Sequence, residues 1–432
     1  MSFKELELCN EILKSIEEKG YVEASPIQKK AIPLILAGHD LLAGAQTGTG
    51  KTAAFSLPIL NKIFLSKKDS QQSTIKSLIL APTRELAAQV ADNIRNYGVN
   101  LNFKIETIFG GASINVQKSR LKRGADIIVA TPGRLLDLLQ QKTVNLKNLE
   151  IFVLDEADRM LDMGFIKDIE KIIKYLPKVK QTLLFSATFP NEIKSLANSI
   201  LHKPKEVQIA ERNTVADKVK HFVYPVDKDR KAALLGHLIK EENWYQVLVF
   251  TRTKRGANKL TKVLNEYGIK ADAFHGNKSQ GARTKALENF KSKKTQVLVA
   301  TDIAARGIDI SLLPQVVNYD LPYLPEDYIH RIGRTARAGQ EGRAISLVSA
   351  DEVKMLRAIE KLLKFTLPRN EIEGFETTQE LKLFSSEPRS SRRKKPGKKR
   401  SFYSPKKKNW GNTSQQKKSK KRKRNNKNSS NN

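Results

Sequence analysis

Residues 45–52 read AQTGTGKT, after an apolar run at 40–45 and before the apolar stretch 53–60. A strand, a glycine-rich turn and a helix in that order make a cradle for phosphate. Gly48 and Gly50 let the backbone turn and bring its amides close to phosphate oxygens. Lys51 supplies a point charge to β- and γ-phosphates, and the Thr52 hydroxyl can ligate Mg²⁺. The helix N-terminus adds its own partial positive charge. The strict pattern begins with Gly, and this chain has Ala45 there. Taken by itself, the octapeptide also fits a chance glycine-rich turn.

A second element removes that ambiguity. The apolar run 151–154 ends in Asp155, with Glu156 next. An acid at the end of such a strand holds Mg²⁺ in enzymes with this loop, and Glu156 is placed to orient and deprotonate a water. Two acids after a strand often mark only a helix N-terminus. With the glycine loop upstream in the same half, the pair implies Mg²⁺-dependent hydrolysis of a nucleoside triphosphate.

Around these motifs, short apolar runs alternate with amphipathic stretches. The first half predicts strands at 40–45, 77–81, 104–109, 126–130, 151–154 and 181–185, with helices such as 85–97 and 134–140. The second half predicts strands at 220–225, 246–250, 271–274, 296–300, 315–319 and 342–348, closed by a helix at 351–363. Nearly continuous apolar strands separated by helices mean parallel sheets covered on both faces. The fold class is therefore α/β, with two tandem parallel-sheet domains. Domain 1 spans 1–209, a linker 210–217 and domain 2 residues 218–372, with Pro368 near the end of the packed region. A basic tail expected to be disordered occupies 373–432.

Length and charge agree. The chain has 432 residues, more than one domain of typical size. Its 78 Lys plus Arg against 45 Asp plus Glu leave a net +33, which points to a polyanion. Nucleic acid is the first candidate and an anionic membrane surface the second. Residues 385–432 alone carry 19 Lys plus Arg and one acid, Glu387, a net +18. They hold too few aliphatic residues to offset the entropy of ordering them. Phe402, Tyr403 and Trp410 lie among those lysines, where rings can stack on bases while ammonium groups hold phosphates. A solvated solubility tail, or lysine bias from an AT-rich genome, is the other reading. No apolar run reaches the roughly 18 residues of a membrane span, and no signal peptide is expected. The lone Cys9 excludes an internal disulfide and a cysteine-based zinc site, which suits a cytoplasmic setting.

Residues 330–339 read HRIGRTARAG, with no acid between Asp327 and Glu341. Arg334 and Arg337 are three apart and can face one target. An arginine supplied across an interface stabilises phosphoryl transfer by roughly 10³–10⁵ in rate. A solvated basic helix fits the same spacing equally well. The second half has no glycine loop with a lysine, so it can complete a nucleotide site but not form one. A cleft between the domains follows.

These residues, in this order, resemble the DEAD-box RNA helicases of superfamily 2, whose fold has two RecA-like domains. The resemblance covers nearly all of 3–363. GYVEASPIQ at 20–28 is similar to the Q motif, with Phe3 as its upstream aromatic; AQTGTGKT is similar to motif I and PTRELA at 82–87 to motif Ia. Gly110, Gly111 and TPGR at 131–134 resemble the next RNA-contact motifs; DEAD stands at 155–158 and SAT at 186–188. VFT at 249–251, Gln280 with Arg283, TDIAARGID at 301–309 and HRIGRTARAG complete the set. Motif VI often has Gly where this chain has Ala336. DRMLDMGF at 158–165, with motif VI and the basic tail, looks most like the bacterial RhlE-like branch.

The resemblance implies roles. ATP is the nucleotide, with Gln28 on the adenine edge and Phe3 or Tyr21 packing near it. Ala45, Gln46, Thr47, Gly48, Thr49, Gly50, Lys51 and Thr52 hold the phosphates, and Thr52 and Asp155 hold Mg²⁺. Glu156 is the general base, Asp309 meets the ribose, and Arg334 and Arg337 are arginine fingers. Ser186 and Thr188 couple hydrolysis to strand separation, and His330 links to the DEAD segment. RNA falls to Thr83, Arg84, Gly111, Thr131, Arg134, Arg252, Gly276, Arg283, Thr301 and Asp302. Such contacts are mainly to the backbone and select little sequence. The implied activity is local separation of short duplexes or of RNA–protein complexes, in ribosome assembly or RNA turnover. An RNA clamp or annealing chaperone driven by the tail is the non-enzymatic alternative, and a DNA helicase the third. Intact Lys51, Glu156 and Arg334 favour the enzyme; Gln28 and the DEAD spelling favour RNA.

Overall fold

The computed structural model describes residues 2–45, 48–67, 74–209, 219–305, 308, 310, 313–335 and 342–378. The first sheet holds β1 (Leu41–Gly44), β2 (Ser77–Leu80), β3 (Ile105–Ile108), β4 (Ile127–Ala130), β5 (Ile151–Leu154), β6 (Gln181–Ser186) and β7 (Lys205–Gln208). Its order is β3-β4-β2-β5-β6-β1-β7. The second holds β8 (Val219–Pro225), β9 (Val247–Thr251), β10 (Ala271–Phe274), β11 (Val297–Thr301), β12 (Gln315–Asn318) and β13 (Gly342–Val348), in order β10-β11-β9-β12-β13-β8. Every pairing within both sheets is parallel.

Alternation explains the continuous apolar strands. Successive side chains point to opposite faces of a sheet. Ile127, Val129, Ile151 and Val153 join one core with Ile59 and Val90. Their neighbours Ile128, Ala130, Phe152 and Leu154 join another with Leu135 and Ile169. The second sheet divides likewise: Val247 and Val249 face one core, Leu248 and Phe250 the other.

All twelve strands anticipated from the sequence are present, with ends shifted by a residue or so. The edge strand β7 was not anticipated. Its sequence KEVQ buries only Val207, so it has almost no apolar signature. Hydroxyl caps start helices beside both sheets. Thr83 Oγ1 accepts from Leu86 N at 3.2 Å, and Thr253 Oγ1 from Gly256 N at 2.9 Å.

Packing continues beyond Pro368 and beyond residue 372. Pro368 O accepts from Val223 N at 2.9 Å, and the Phe375 ring lies 5.4 Å from the His237 ring. The proposed linker at 210–217 and residues 379–432 of the proposed tail lie outside the described residues. Among the described residues, no helix is long and apolar enough to cross a membrane.

Candidate active site and nucleic-acid interface

The chemistry-bearing residues collect at the carboxyl ends of the strands, where ligands bind in open α/β sheets. In the first lobe they divide along the sheet order. Loops after β1, β5 and β6 carry the nucleotide candidates. Loops after β2, β3 and β4 carry the RNA candidates.

The glycine loop runs into the helix Lys51–Lys67. Gly48 and Gly50 have φ of 84° and 93°, the left-handed region that glycine tolerates. At Gly50 an added Cβ would lie 2.5 Å from Gln28 Nε2, so space also demands glycine. Gln28 is the third residue of the helix Pro26–Leu36. Its Oε1 accepts from Ser25 N at 2.8 Å, and its Nε2 donates to Gly50 O at 3.1 Å. One N–H and one lone pair of this buried amide remain for a base edge. An antiparallel bridge between Ser2 and Glu23 brings Phe3 beside Tyr21, with ring centroids 6.3 Å apart. Phe3 is 5% exposed and lies behind Tyr21, which is 44% exposed and lines the cleft. Of this pair only Tyr21 lines the cleft, and Phe3 packs behind it.

The acids sit opposite. Asp155 N donates to Leu80 O at 2.9 Å, which registers the DEAD segment on the end of β2. Glu156 adopts φ 54° and ψ 53°, a left-handed conformation costing roughly 1–2 kcal/mol for a non-glycine residue. Strain of this kind collects at functional sites. Its Oε2 lies 3.1 Å from Arg159 Nε, both side chains buried. Burial would raise the Glu156 carboxyl, but Arg159, Lys51 and Arg334 together hold it below the usual range. Burial pushes Asp155 up to about 7, against the pull of Lys51. Lys51 Nζ and Asp155 Oδ1 are both buried without a hydrogen-bond partner among the described residues.

The cleft between the lobes has a volume of about 300 Å³. Tyr21, Gln28, Lys51, Asp155 and Glu156 line it from the first lobe, and Ile308, Ile310 and Arg334 from the second. Arg334 is 5% exposed, and its Nη1 donates to Ile308 O at 2.8 Å. Gln46, Thr47, Asp309, Ala336 and Arg337 lie outside the described residues.

Two further contacts join the lobes. Arg159 Nη2 lies 3.0 Å from His330 Nδ1, so His330 meets the residue that follows DEAD. Glu85 accepts from Arg283 Nη2 at 2.6 Å and from Gln280 Nε2 at 3.0 Å. Neither Glu85 nor Arg159 was singled out in the sequence, although Arg159 stands at i+3 from Glu156. Within the first lobe, Asp158 Oδ2 accepts from Thr188 N at 2.9 Å and Thr188 Oγ1 at 3.0 Å. Ser186 Oγ accepts from Asp158 N at 3.2 Å and donates to Thr188 O at 2.7 Å. The SAT and DEAD segments are thus locked together.

Thr83, Arg84, Gly111, Thr131 and Arg134 follow the adjacent strands β2, β3 and β4. At Gly111, with φ 76°, an added Cβ would lie 2.0 Å from Arg84 Nη1. The glycine pair is the seat of that guanidinium. Arg134 Nη1 donates to Ala112 O at 3.1 Å. In the second lobe, Arg252 and Gly276 follow β9 and β10, and Thr301 ends β11, strands that are also adjacent. Three of the candidates there are engaged by protein, Arg283 by Glu85 as above. Asp302 receives Arg331 through both oxygens at 2.6 and 2.7 Å, and Arg252 Nη2 donates to Glu352 Oε1 at 2.8 Å.

Residues 25–196 match the DEAD/DEAH box helicase family, and 230–339 match the helicase conserved C-terminal domain. The DEAD-box ATP-dependent RNA helicase CshA of Streptococcus pneumoniae is 43% identical over 387 residues, 89% of this chain and 73% of that protein. The ATP-dependent RNA helicase CshA of Listeria monocytogenes is 44% identical over 362 residues, 84% of this chain and 69% of that protein. The chain belongs to the DEAD-box ATP-dependent RNA helicases. Among solved structures, S. cerevisiae Dbp5 bound to RNA and ADP BeF3 matches with a TM-score of 0.75 and 34% identity, over 86% of this chain and 95% of that one. Mss116p bound to ssRNA and AMP-PNP matches at 0.77 and 31%, over 86% and 78%. These likenesses carry the two RecA-like domains anticipated from the sequence. In this DEAD-box helicase the candidate ATPase residues and the candidate RNA residues lie at one edge of each sheet.

Proposed function

We propose that this chain hydrolyses ATP in the interlobe cleft, with RNA stimulating the step, and that closure of the lobes separates short RNA duplexes locally. The observation that carries the reading is the buried, unpartnered pair of Lys51 Nζ and Asp155 Oδ1, with Arg334 of the other lobe lining the same cleft. Burying such groups without hydrogen bonds is costly, and a charged ligand between them would remove that cost.

Mg²⁺ fits the same residues. Among the described residues no three His, Cys, Asp or Glu cluster as a metal site. Mg²⁺ characteristically takes one or two protein oxygens and completes its shell with phosphates and water. Thr52 and Asp155 are the residues that would hold it, and when bound it neutralises charge on the phosphates. The other roles belong to side chains. Tyr21 and Gln28 seat the adenine, and Lys51 with the amides of 45–50 seats the phosphates. Glu156, kept ionised by Arg159, Lys51 and Arg334, takes the proton of the attacking water. Arg334 and Arg337 stabilise the leaving charge, and Asp309 holds the ribose. Ser186 and Thr188, locked on Asp158, pass closure to the RNA side. RNA runs over Thr83, Arg84, Gly111, Thr131 and Arg134, then over Arg252, Gly276, Arg283, Thr301 and Asp302. The domain limits 1–209 and 218–372, the second lengthened by the packing of Phe375, and a tail that tethers RNA belong to this reading, as do a cytoplasmic setting and partners in ribosome assembly or RNA decay. The RhlE-like placement rests on DRMLDMGF, HRIGRTARAG and the basic tail; the relatives named above are CshA proteins and do not support it.

The test is the ATPase rate with and without RNA, for wild type and Glu156→Gln. Wild type should be stimulated by RNA, and the variant should lose hydrolysis while still binding ATP. Equal wild-type rates with and without RNA count against the reading.

A further inference from the structure

The second lobe carries a basic concavity on the edge of its sheet opposite the cleft. Strands β9, β10 and β11 begin there, at Val247, Ala271 and Val297, and end at the RNA candidates. A strand of five residues separates the two edges by about 15 Å. The concavity measures about 540 Å³, and no acidic residue lines it. Lys240, Lys270, Lys293 and Lys294 line it, all exposed. None of the four forms an ion pair with a described carboxylate.

Lysines near helix C-termini often do no more than complement the helix dipole, so the charge must be counted. Helices Lys231–Glu241, Lys254–Glu266 and Gln280–Lys291 all end at this concavity. Each end carries about −0.5 of a charge, about −1.5 in all, against four ammonium groups. The dipoles are further weakened because each helix closes on itself: Trp244 N donates to Ile239 O, Ile269 N to Leu264 O, and Lys294 N to Asn289 O, at 2.9–3.0 Å. Glu242 lies nearby, but its carboxylate is held by Arg343 and by Trp244 Nε1. A net surplus of more than two positive charges remains for a ligand.

The shape of the floor selects the ligand. Ile239, Ile269 and Trp244 are buried, so they offer no apolar slot for a peptide side chain. Tyr245 is 56% exposed, and its ring carries the Lys293 ammonium 5.2 Å from its centroid. An exposed ring among unpaired lysines is the arrangement that stacks a base and holds the flanking phosphates. We infer that this concavity is a second RNA site, which takes a single-stranded segment without sequence preference, on the far edge of the lobe from the cleft.

The test uses the full chain carrying Lys240→Gln, Lys270→Gln and Lys294→Gln together. Lys293 is left alone because its φ of 59° would mix backbone strain into the result. Binding of a long oligouridylate is followed across salt concentrations, and ultraviolet crosslinks to it are mapped by peptide. Single-stranded binding loses a slope of about 0.7 per phosphate contact removed, so the triple variant should lower the salt slope by about 2. Wild type should crosslink at Tyr245; Tyr245→Ala should weaken binding of the long RNA, and Tyr245→Phe should restore it. An unchanged slope, or no crosslink at Tyr245, overturns the inference. So does displacement of a fluorescent polyglutamate, rather than RNA, by the triple substitution, which would make the partner an acidic protein. RNA-stimulated ATPase of the wild type, measured alongside, separates failure here from failure of the helicase reading.

Discussion

Replacing Glu85 by Gln should disable closure of the lobes without unfolding either one. Glu85 stands on the first lobe and Arg283 on the second, 2.6 Å apart, with side chains 7% and 6% exposed. Burial, with Arg84 adding to it, lowers the Arg283 pKa despite the opposing pull of Glu85, so this guanidinium is costly to bury even when paired. Removing one member of such a pair typically costs about 3 kcal/mol, because the remaining charge stays buried alone. The substituted amide can still accept a hydrogen bond, so about 2 kcal/mol is the working figure, a factor of about 30 in the closing equilibrium. RNA-stimulated ATPase at subsaturating RNA should therefore fall about 30-fold. The thermal midpoint should hold, since each lobe keeps its own core. The double variant Glu85→Gln with Arg283→Met removes the stranded charge, so its loss should fall well short of the sum of the two single losses even though it also removes an RNA candidate, giving a strongly non-additive cycle. If the double variant is as impaired as the sum of the two singles, the pair is not a latch and the reasoning fails.

Two other outcomes follow from single positions. Gly111→Ala forces a Cβ to within 2.0 Å of Arg84 Nη1 on a backbone with φ 76°. The RNA concentration for half-maximal stimulation should rise about tenfold, the effect of roughly 1.4 kcal/mol, in ATPase titrations; an unchanged value would detach Arg84 from RNA. Asp155→Asn concerns stability. Burial raises the Asp155 carboxyl to about 7, above an unfolded value of about 3.9. A carboxyl raised on folding subtracts nothing below its unfolded value, then subtracts progressively until pH passes the folded one. The nucleotide-free variant should thus be more stable than wild type at pH 8 and equal to it near pH 3.5. The gain is about 2 kcal/mol, after allowing for the Lys51 charge that Asn leaves without its acid. Thermal unfolding at the two pH values reads it, and no gain at pH 8 would refute the burial account.

What the sequence disclosed, and what it hid, divide along a physical line. Strands buried on both faces are legible because every position must be apolar, and the glycine loop because phosphate demands small residues beside a lysine. β7 was not legible, since an edge strand with one buried residue needs no pattern. Glu85 and Arg159 were passed over for another reason. Their partners Arg283 and His330 are 198 and 171 residues away, and only the tertiary fold brings them together. The left-handed Glu156 backbone was equally hidden, because nothing in a side chain announces the torsion imposed on it.

Those hidden pairings change what the positive charge near the cleft does. Arg159, Arg252, Arg283 and Arg331 each have an acid partner in Glu156, Glu352, Glu85 and Asp302. A guanidinium bound to a carboxylate adds little free charge for a polyanion to find. These arginines fix the geometry of loops and lobes instead, and they hold backbone amides and small residues where a strand can lie against them. Electrostatic attraction for RNA must then come from groups without acids of their own. The lysines at the far edge of the second lobe are such groups, and the sequence of residues 385–432 adds 19 Lys plus Arg against a single acid. Affinity and chemistry are thereby assigned to different residues. Salt should weaken the hold on RNA through the unpaired lysines, while the paired arginines of the cleft keep closure itself comparatively insensitive to salt, because buried pairs are poorly screened.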